Sequence, residues 1–325
     1  MQLKQHTYSV IGMALMALLT LASCHREEGY SGTQEVRFRL FAKEHISVSR
    51  GYKLLGTQAG DTTLANFTAG LYVTLDDQCY SSTMTWNGTT MSAGLRLGDG
   101  TYQFFSYMPY NANVTFDKEQ NTITLPNIKG LGSDDIMVAD PVEKVISGSA
   151  NNPSVTVPLY MDHLLARVTP YFYVHEEYAK MRTIKIKKVE MIMPKDTLYT
   201  ATVNNTITGY SVTWDKGEAT TDTIATAYAI ARHDTLTTIK GEQEYGNCYL
   251  CPEKVTEGMR LRVTYDVYDT ADNITRKDAV VENRIKRLPA TLTAGTDYKL
   301  HVKIVPTYLY SLSDNDNEVL IVDNN

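Results

Sequence analysis

Cys24 is the residue whose type and position indicate the most definite chemistry in this sequence. A basic start is followed by an apolar run over residues 10–20 and then by Leu21, Ala22 and Ser23. This order is typical of a secretory signal with a small-residue cleavage site directly before Cys24. The apolar run is shorter than the roughly 20 apolar residues that a membrane-spanning helix needs. We therefore predict cleavage before Cys24 and acylation of its thiol, as in a bacterial lipoprotein, rather than a transmembrane anchor.

Cys248 and Cys251 have the spacing of a redox or zinc pair, since two residues separate them. The sequence lacks a second pair of this kind, and acylation of Cys24 would leave an odd number of thiols. Side chains three positions apart on a strand point to opposite faces, so the two thiols would diverge. We therefore predict that these two cysteines and Cys79 are buried structural residues, and we expect no cofactor and no metal.

Other patterns that could carry chemistry are incomplete. Residues 314–318 place acidic and amide oxygens at every position, as the first half of a calcium loop does, but Val319 stands where the loop glycine is expected. His163 lies near both an acid and a base, although a single histidine on a strand is more often structural than catalytic. The sequence has no Gly-x-Ser-x-Gly nucleophile motif and no zinc-protease histidine pair. We therefore predict a polar turn at residues 314–318 and a chain that is not an enzyme.

Short strands must position these residues, because apolar and polar residues alternate through much of the chain. Residues 35–40 alternate in this way, and residues 259–267 repeat the pattern over a longer run. In the longer run we expect Leu261, Val263 and Tyr265 to be buried together. Many short strands separated by frequent turn residues indicate an all-β fold built from β-sandwiches.

Two local departures from this alternation are also predicted. Between residues 184 and 193 the apolar positions change phase, and one extra residue near Lys187 and Lys188 would restore the register. An extra residue of this kind is a β-bulge. The sequence of residues 175–182 also indicates one short helix.

Length and charge limit the organisation and the partners of the chain. A chain of 325 residues exceeds the usual limit of a single core, so two domains are expected. The net charge of −6 and the isoelectric point near 5.7 argue against nucleic acid as a partner. The polar, proline-terminated stretch at 147–153 suggests a boundary. We predict a signal peptide at 1–23, a tether at 24–34, a first β-sandwich at 35–153 with its first strand at 35–41, a second at 154–306 and a C-terminal extension at 307–325.

Arg50 and the C-terminal segment are two further candidates. Arg50 lies in a small, hydroxyl-rich stretch and precedes a glycine. Exposed loops of this kind are preferred sites of proteolysis, although an ordinary loop arginine explains the composition equally well. Residues 319–322 are apolar on both faces, which is hazardous for a terminal strand unless it is covered. This strand either pairs within its own domain or fills a groove in another molecule by β-augmentation.

Four short motifs follow the lipoprotein signal in a fixed order. They are an aromatic-Tyr-x-Pro strand within 101–110, an Asp-x-Met-x-Ala segment within 133–139, a His-x-Leu-Ala-Arg strand within 157–168 and an Ala-Gly-x-x-Tyr segment within 292–298. Their order resembles that of the fimbrillin-like lipoproteins, which build surface pili in Gram-negative gut and oral anaerobes. Each motif is short, and their order is what makes the resemblance specific.

The resemblance implies two transthyretin-like β-sandwich domains in tandem and a lipidated precursor that reaches the outer membrane and the surface fimbrium. In this family an arginine-specific protease removes the first strand, and a C-terminal segment of a neighbouring subunit fills the groove. The implied partners are other pilin subunits, the outer membrane through the lipid, the protease, and a host or bacterial adhesion ligand. The implied sites are lipidation at Cys24, cleavage at Arg50, plug residues Val36, Phe38 and Leu40, and a donor strand of Val319, Leu320, Ile321 and Val322.

Whether such a subunit belongs to the shaft, the tip or the anchor stays open. The main alternative is a surface glycan-binding lipoprotein, since stacked β-sandwiches on a lipid tether also describe that class. Glycan sites usually present exposed tryptophans, and the chain has only Trp86 and Trp214. An exported hydrolase is a third alternative, and the absence of a paired-carboxylate or triad motif argues against it.

Overall fold

The described part of the chain is almost entirely β-structure, so the all-β prediction is confirmed. A computed structural model describes residues 33–43, 52–54, 68–87, 90–147, 154–207, 209–219, 221–229, 235–252, 256–286, 288–305 and 319–323, with the backbone alone at 52–54, 305 and 319–323. Its elements are β1 (Gln34–Lys43), β2 (Tyr52–Leu54), β3 (Ala69–Leu75), β4 (Gln78–Trp86), β5 (Met91–Leu97), β6 (Gly100–Met108), β7 (Thr115–Asp117), β8 (Thr122–Lys129), β9 (Leu131–Gly132), β10 (Met137–Ala139), β11 (Val142–Ile146), β12 (Ser154–His163), β13 (Ala166–Val174), α1 (Glu176–Ala179), β14 (Thr183–Met193), β15 (Thr197–Thr206), β16 (Gly209–Ala219), β17 (Thr223–Ala229), β18 (Gln243–Glu244), β19 (Cys248–Leu250), β20 (Arg260–Tyr268), β21 (Ile274–Arg284), β22 (Asp297–Val305) and β23 (Val319–Asp323).

The first sheet closes on itself and encloses the first hydrophobic core. Its strands pair in the order β12-β1-β5-β4-β3-β6, and β10 pairs with both β6 and β12, which joins the two ends. Strand β11 pairs with β6, and β2 pairs with β1. We call this closed arrangement of β1, β3, β4, β5, β6, β10 and β12 the ring. Apolar side chains from all seven strands fill its interior, as the alternating pattern of β1 leads one to expect.

The second half of the chain forms a two-sheet β-sandwich. One sheet has the order β23-β22-β13-β19-β9, with β18 also on β13, and the other has the order β17-β14-β20-β21. A second large cluster of buried side chains lies between them. The finer assignment of both halves as transthyretin-like stays a prediction.

A smaller sheet covers the outer face of the ring. It has the order β16-β15-β8-β7, and its Tyr199 belongs to one apolar cluster with Tyr72 of β3 and with Phe105 and Tyr107 of β6. The ring of Phe116 stacks on that of Tyr72 with centroids 4.9 Å apart. Strands β3 and β6 are therefore largely buried on both faces, which is why their sequences are nearly continuous apolar and aromatic runs.

The predicted local features of the second half are confirmed. The pairing of β14 with β20 shifts register between Ile186 and Lys188, which is the expected bulge. Leu261, Val263 and Tyr265 are each at most 1% exposed. The expected helix is present but shorter than predicted, because α1 covers only four residues, with His175 as its N-cap.

Strand β12 links the two halves and begins where the sequence suggested a domain boundary. It starts at Ser154, directly after the 147–153 stretch, yet it pairs with β1 and β10 of the ring. The polar stretch therefore marks a connection that precedes a ring strand, because turn chemistry reports a break in the chain and not the sheet that the next strand joins. The division into domains at 153 stays a prediction.

Candidate functional site

Strand β1 is the strand that closes the ring, and other strands pair with both of its edges. One edge pairs in parallel with β12, from Glu35 opposite Ser154 to Ala42 opposite Met161. The other edge pairs with β5 as far as Phe38 and then with β2 over its last three residues. Removing β1 would therefore expose unpaired backbone groups on two sides of one gap. We call this gap, bounded by β12 on one side and by β5 and β2 on the other, the β1 slot.

The side chains that the sequence marked as plug residues fill the slot from inside. Val36, Phe38 and Leu40 are at most 1% exposed and belong to the core of the ring. The rings of Phe38 and Phe104 meet edge to face with centroids 5.7 Å apart, a preferred geometry for aromatic pairs. The structure thus brings the three residues together as one apolar face.

The other face of β1 points outward and is polar over most of its length. Arg37 and Arg39 are exposed, and an Arg37 nitrogen lies 2.9 Å from a carboxylate oxygen of Glu35. Nearer the end of the strand, the ring of Phe41 stacks on that of Tyr160 of β12 with centroids 5.2 Å apart. Exposed ion pairs of this type contribute little to stability, so the inner face holds β1 in place.

The carboxyl end of β1 is bound by a buried histidine. His163, the last residue of β12, has Nε2 2.5 Å from the carbonyl oxygen of Lys43 and Nδ1 2.5 Å from Oδ2 of Asp135. The ammonium of Lys43 lies 3.6 Å from a carboxylate oxygen of Asp162. Burial raises the pKa of the Asp135 carboxyl, and the nearby His163 and Arg167 oppose that shift. The site therefore joins the end of β1 to a largely buried acid through one imidazole.

A second polar cluster ties β13 to β22. An Arg167 nitrogen donates to Asp297 at 3.0 Å, and the hydroxyl of Thr169 donates to the same carboxylate at 2.6 Å. Arg167 lies four residues after His163, and both belong to the His-x-Leu-Ala-Arg motif. The short motifs of the sequence thus supply the polar groups at the junction of the two halves. Asp135 has one distinguishing feature in the sequence, namely its place in the Asp-x-Met-x-Ala segment.

The C-terminal strand predicted as a donor pairs within this chain. Strand β23 runs antiparallel to β22, with Val302 opposite Val322 and Val305 opposite Val319. Of the two alternatives, the single chain thus adopts pairing with its own sheet edge. Cys24 and Arg50, the predicted lipidation and cleavage sites, lie outside the described residues. A donor role and both of these sites stay predictions.

The cysteines with redox spacing are buried on different sides of β19. Cys248 belongs to the core of the second sandwich, whereas Cys251 belongs to the cluster under the covering sheet. Burial raises the pKa of the Cys248 thiol to about 12, so it stays protonated near neutral pH. Cys79 is buried as well. These positions agree with the predicted structural role.

The tryptophans, the possible metal ligands and the helix of the described residues bear on other functional classes. Trp86 and Trp214 are partly exposed, and each packs against an apolar cluster. Within the described ranges, no group of three or more His, Cys, Asp or Glu side chains is arranged to hold a metal ion. Among the same residues, no helix has the length and apolar character needed to cross a membrane.

A protein-family model described as fimbrillin-like matches residues 44–321, which is most of the sequence. The chain belongs to the fimbrillin-like family. The fimbrillin-like match begins directly after β1 ends at Lys43 and finishes within β23. A search of curated proteins found no match for this chain.

Several solved structures that are similar to this fimbrillin-like chain come from Bacteroides species. A candidate cell adhesion protein from Bacteroides uniformis is 16% identical, with 89% of this chain and 97% of that chain covered and a TM-score of 0.44. Another from Bacteroides fragilis is 14% identical, with 90% and 98% covered and a TM-score of 0.48. A fimbrial protein from Bacteroides vulgatus is 14% identical, with 88% and 99% covered and a TM-score of 0.39.

Proposed function

We propose that this chain is a structural, non-catalytic subunit of a surface fimbrium that serves adhesion, assembled by exchange of β1 for a strand from another subunit. Membership of the fimbrillin-like family supports the fimbrial role, the surface location and the assembly with other pilin subunits. The observation that carries the exchange step is the position of β1, which pairs on both edges and presents three buried side chains to the ring.

The loss of β1 supplies the driving force for assembly in this proposal. An empty slot exposes apolar pockets and two rows of unpaired backbone groups, and a foreign strand restores both by β-augmentation. Arg50 falls in the connection between β1 and β2, which pair as a hairpin. Cleavage after Arg50 by an arginine-specific protease would free β1 without cutting any described strand.

The proposed donor is the C-terminal segment of a neighbouring subunit. Strand β23 has five residues and β1 has ten, so β23 alone matches half of the slot. We expect residues before Val319 to extend the pairing once the segment enters the slot. A donor on one subunit and a slot on the next make a head-to-tail contact that does not close, and such contacts build filaments.

The proposed precursor is anchored before assembly. Acylation of Cys24 would tether the chain to the outer membrane, and the polar residues that follow Cys24 would keep the sandwich domains away from the lipid surface. Replacing Cys24 by Ser should abolish lipid labelling and release the protein from membranes. Unchanged membrane partitioning of the Cys24→Ser variant would contradict the anchor.

The assembly step is tested with the soluble precursor and an arginine-specific protease. We expect cleavage after Arg50, identified by the N-terminal sequence of the product, followed by growth of oligomers measured by size-exclusion chromatography. The Arg50→Ala variant should stay uncut and monomeric, and a truncation before Tyr308 should be cut but stay monomeric. A chain that is cut at Arg50 with its C-terminal segment intact and still does not assemble would contradict the proposal.

A further inference from the structure

For both of its hydrogen bonds to be made, the contact that binds the carboxyl end of β1 needs one proton more than an ionised aspartate and a neutral histidine hold. Both ring nitrogens of His163 face oxygen acceptors, namely the carbonyl of Lys43 and the carboxyl group of Asp135. A neutral imidazole has one N–H and can donate only one of these two hydrogen bonds. The second bond needs another proton, carried either by the ring or by the carboxyl group. The pair therefore binds one proton more than an ionised aspartate beside a neutral histidine.

The surroundings of the pair favour retention of that proton. His163 is 9% exposed, and Oδ1 of Asp135 is buried with no hydrogen-bond partner among the described residues. A buried carboxylate with an unbonded oxygen is costly. Burial is the largest influence on the pKa of Asp135 and raises it, while His163, Arg167 and the backbone N–H of Ile136 oppose that shift. The charged and titratable groups around the pair, taken from each element near it, are Lys43 of β1, Asp140 after β10, Asp162 of β12, Arg167 of β13, Tyr249 of β19 and Asp297 of β22.

We propose that Asp135 and His163 form a proton-dependent latch on the carboxyl end of β1. The latch is closed while the pair holds its extra proton, because both nitrogens of His163 then make favourable hydrogen bonds. Loss of the proton leaves a lone pair of the ring facing either the carbonyl of Lys43 or the carboxylate of Asp135. One attractive contact becomes repulsive, and the end of β1 is released from β12.

The direction of the pH dependence follows from the proton count. An exposed histidine loses its proton near pH 6.5 and an exposed aspartate near pH 3.9. Above about pH 6.5 the closed latch thus binds one proton more than the opened one, and the state that binds more protons is disfavoured as pH rises. The equilibrium constant for opening should increase by up to about tenfold per pH unit, until the closed pair itself loses the proton.

The latch makes the retention of β1 depend on pH. The consequence of this dependence for subunit assembly rests on the proposed function. A subunit precursor would hold β1 firmly at mildly acidic pH and release it more readily at alkaline pH, at the end of the strand that adjoins the proposed cleavage segment. The hydrogen bonds themselves are present in the uncut chain, so the latch can be tested without protease and without assembly.

Hydrogen–deuterium exchange of the full, uncut chain measures the latch directly. Protection factors for peptides within residues 38–43 are followed from pH 6 to pH 9, each corrected for intrinsic exchange at its own pH, with residues 300–304 of β22 as an internal reference. The protection of residues 38–43 in the wild type should fall by up to about tenfold per pH unit, and that of the reference should not follow it.

Asp135→Asn is the decisive variant, because an asparagine amide can donate to Nδ1 while Nε2–H of a neutral His163 donates to Lys43. This variant should keep the protection that the wild type has at pH 6 within about threefold and lose the dependence on pH. His163→Gln should lower the protection of residues 38–43 already at pH 6, and the control His301→Gln, on β22, should behave as the wild type does at β1.

A wild-type protection factor that does not change with pH would overturn the latch, and so would an Asp135→Asn variant that keeps the wild-type pH dependence. Failure of the proposed function gives a different result. If the protection pattern is as expected and the cut chain still takes up no C-terminal segment, the latch stands and the assembly proposal is wrong. The converse pair of results would remove the latch and keep the assembly proposal.

Discussion

β1, near the start of the described chain, and β22, near its end, each have one parallel partner, but they differ in what pairs with their second edge. β1 runs parallel to β12, and β22 runs parallel to β13, the strand that directly follows β12. The second edge of β1 pairs with β5 and β2 inside the ring, whereas the second edge of β22 pairs with β23 at the end of a sheet. Loss of β1 would therefore leave strand edges unpaired on both sides of a gap. Loss of β23, in contrast, would leave one unpaired edge, that of β22.

This difference explains why a C-terminal segment could leave its own sheet for the slot of a neighbour. At β22 the segment makes one ladder of backbone hydrogen bonds, and in the slot it would make two. A backbone hydrogen bond contributes about 0.5–1.5 kcal/mol net, so a second ladder of several bonds is a substantial gain. In the proposed exchange β1 blocks the slot until it is removed, so removal of β1 would be the controlling step.

The polar contacts at the two parallel pairs differ as well. The end of β1 is bound through His163 to the largely buried acid Asp135, while the start of β22 is bound through Asp297 to an arginine and a threonine. The first contact depends on one proton and can open with pH. The second is an ion pair between Arg167 and Asp297, to which the Thr169 hydroxyl also donates.

Truncation of the central plug residue should have the largest effect on stability. Phe38→Ala removes a ring that is fully buried and contacts Phe104, and loss of a buried aromatic ring costs about 3–5 kcal/mol. Urea unfolding of the purified chain should show this decrease in the free energy of unfolding. The control Arg39→Ala, on the exposed face of the same strand, should have a far smaller effect. A cost below about 1 kcal/mol for Phe38→Ala would mean that β1 contributes little to the ring.

The matching substitution in β22 should lower the free energy of unfolding by a similar or slightly smaller amount than Phe38→Ala does. Leu300→Ala removes a fully buried side chain from the second core, for which the expected cost is about 2–5 kcal/mol. Hydrogen exchange should locate the loss of protection in the second sandwich for this variant and in the ring for Phe38→Ala. Lys299→Ala is the control on the exposed side of β22. Equal loss of protection in both halves for both variants would contradict the view that the two cores are separate.

Much of this fold was predictable, because period-two alternation reports one buried face. The plug face of β1 and the buried side of β20 follow from it directly. The covering sheet does not, since β3 and β6 appear only as apolar runs, and part of their cover comes from β15, which is distant in sequence. The pairing of β12 with the ring does not follow from the sequence either, because the polar stretch before it does not reveal the next pairing partner.

The latch was beyond the reach of sequence analysis. His163 lies 28 residues after Asp135 and 120 residues after Lys43, and no spacing rule connects the three residues. The parallel pairing of β1 with β12 brings the first and last of these together, and parallel pairing between distant strands leaves no local pattern. The sequence pattern favours a structural role for His163, and its contact with β1 follows only from the register of the two strands.

The smallest of the stability effects should come from the polar cluster at β22. Asp297→Asn removes the charge that accepts hydrogen bonds from Arg167 and Thr169, and a hydrogen bond to a charged group contributes about 1.5–3 kcal/mol. We expect a decrease in that range, measured by urea unfolding at neutral pH. Glu177→Gln, which breaks an exposed ion pair with Lys180, is the control and should change stability less. A larger decrease in stability for Glu177→Gln than for Asp297→Asn would contradict this expectation.

The central claim is that the β1 slot accepts the C-terminal segment of a second copy once β1 has been removed. A fluorescently labelled peptide of residues 307–325 is added to the intact chain and to a chain cut between β1 and β2, and binding is followed by fluorescence anisotropy with mass spectrometry of the released strand. The account predicts binding to the cut chain with release of β1, no binding to the intact chain, and no binding of a peptide in which Leu320 and Val322 are replaced by Asp. Equal binding to both chains, or no binding after β1 has left, would contradict it.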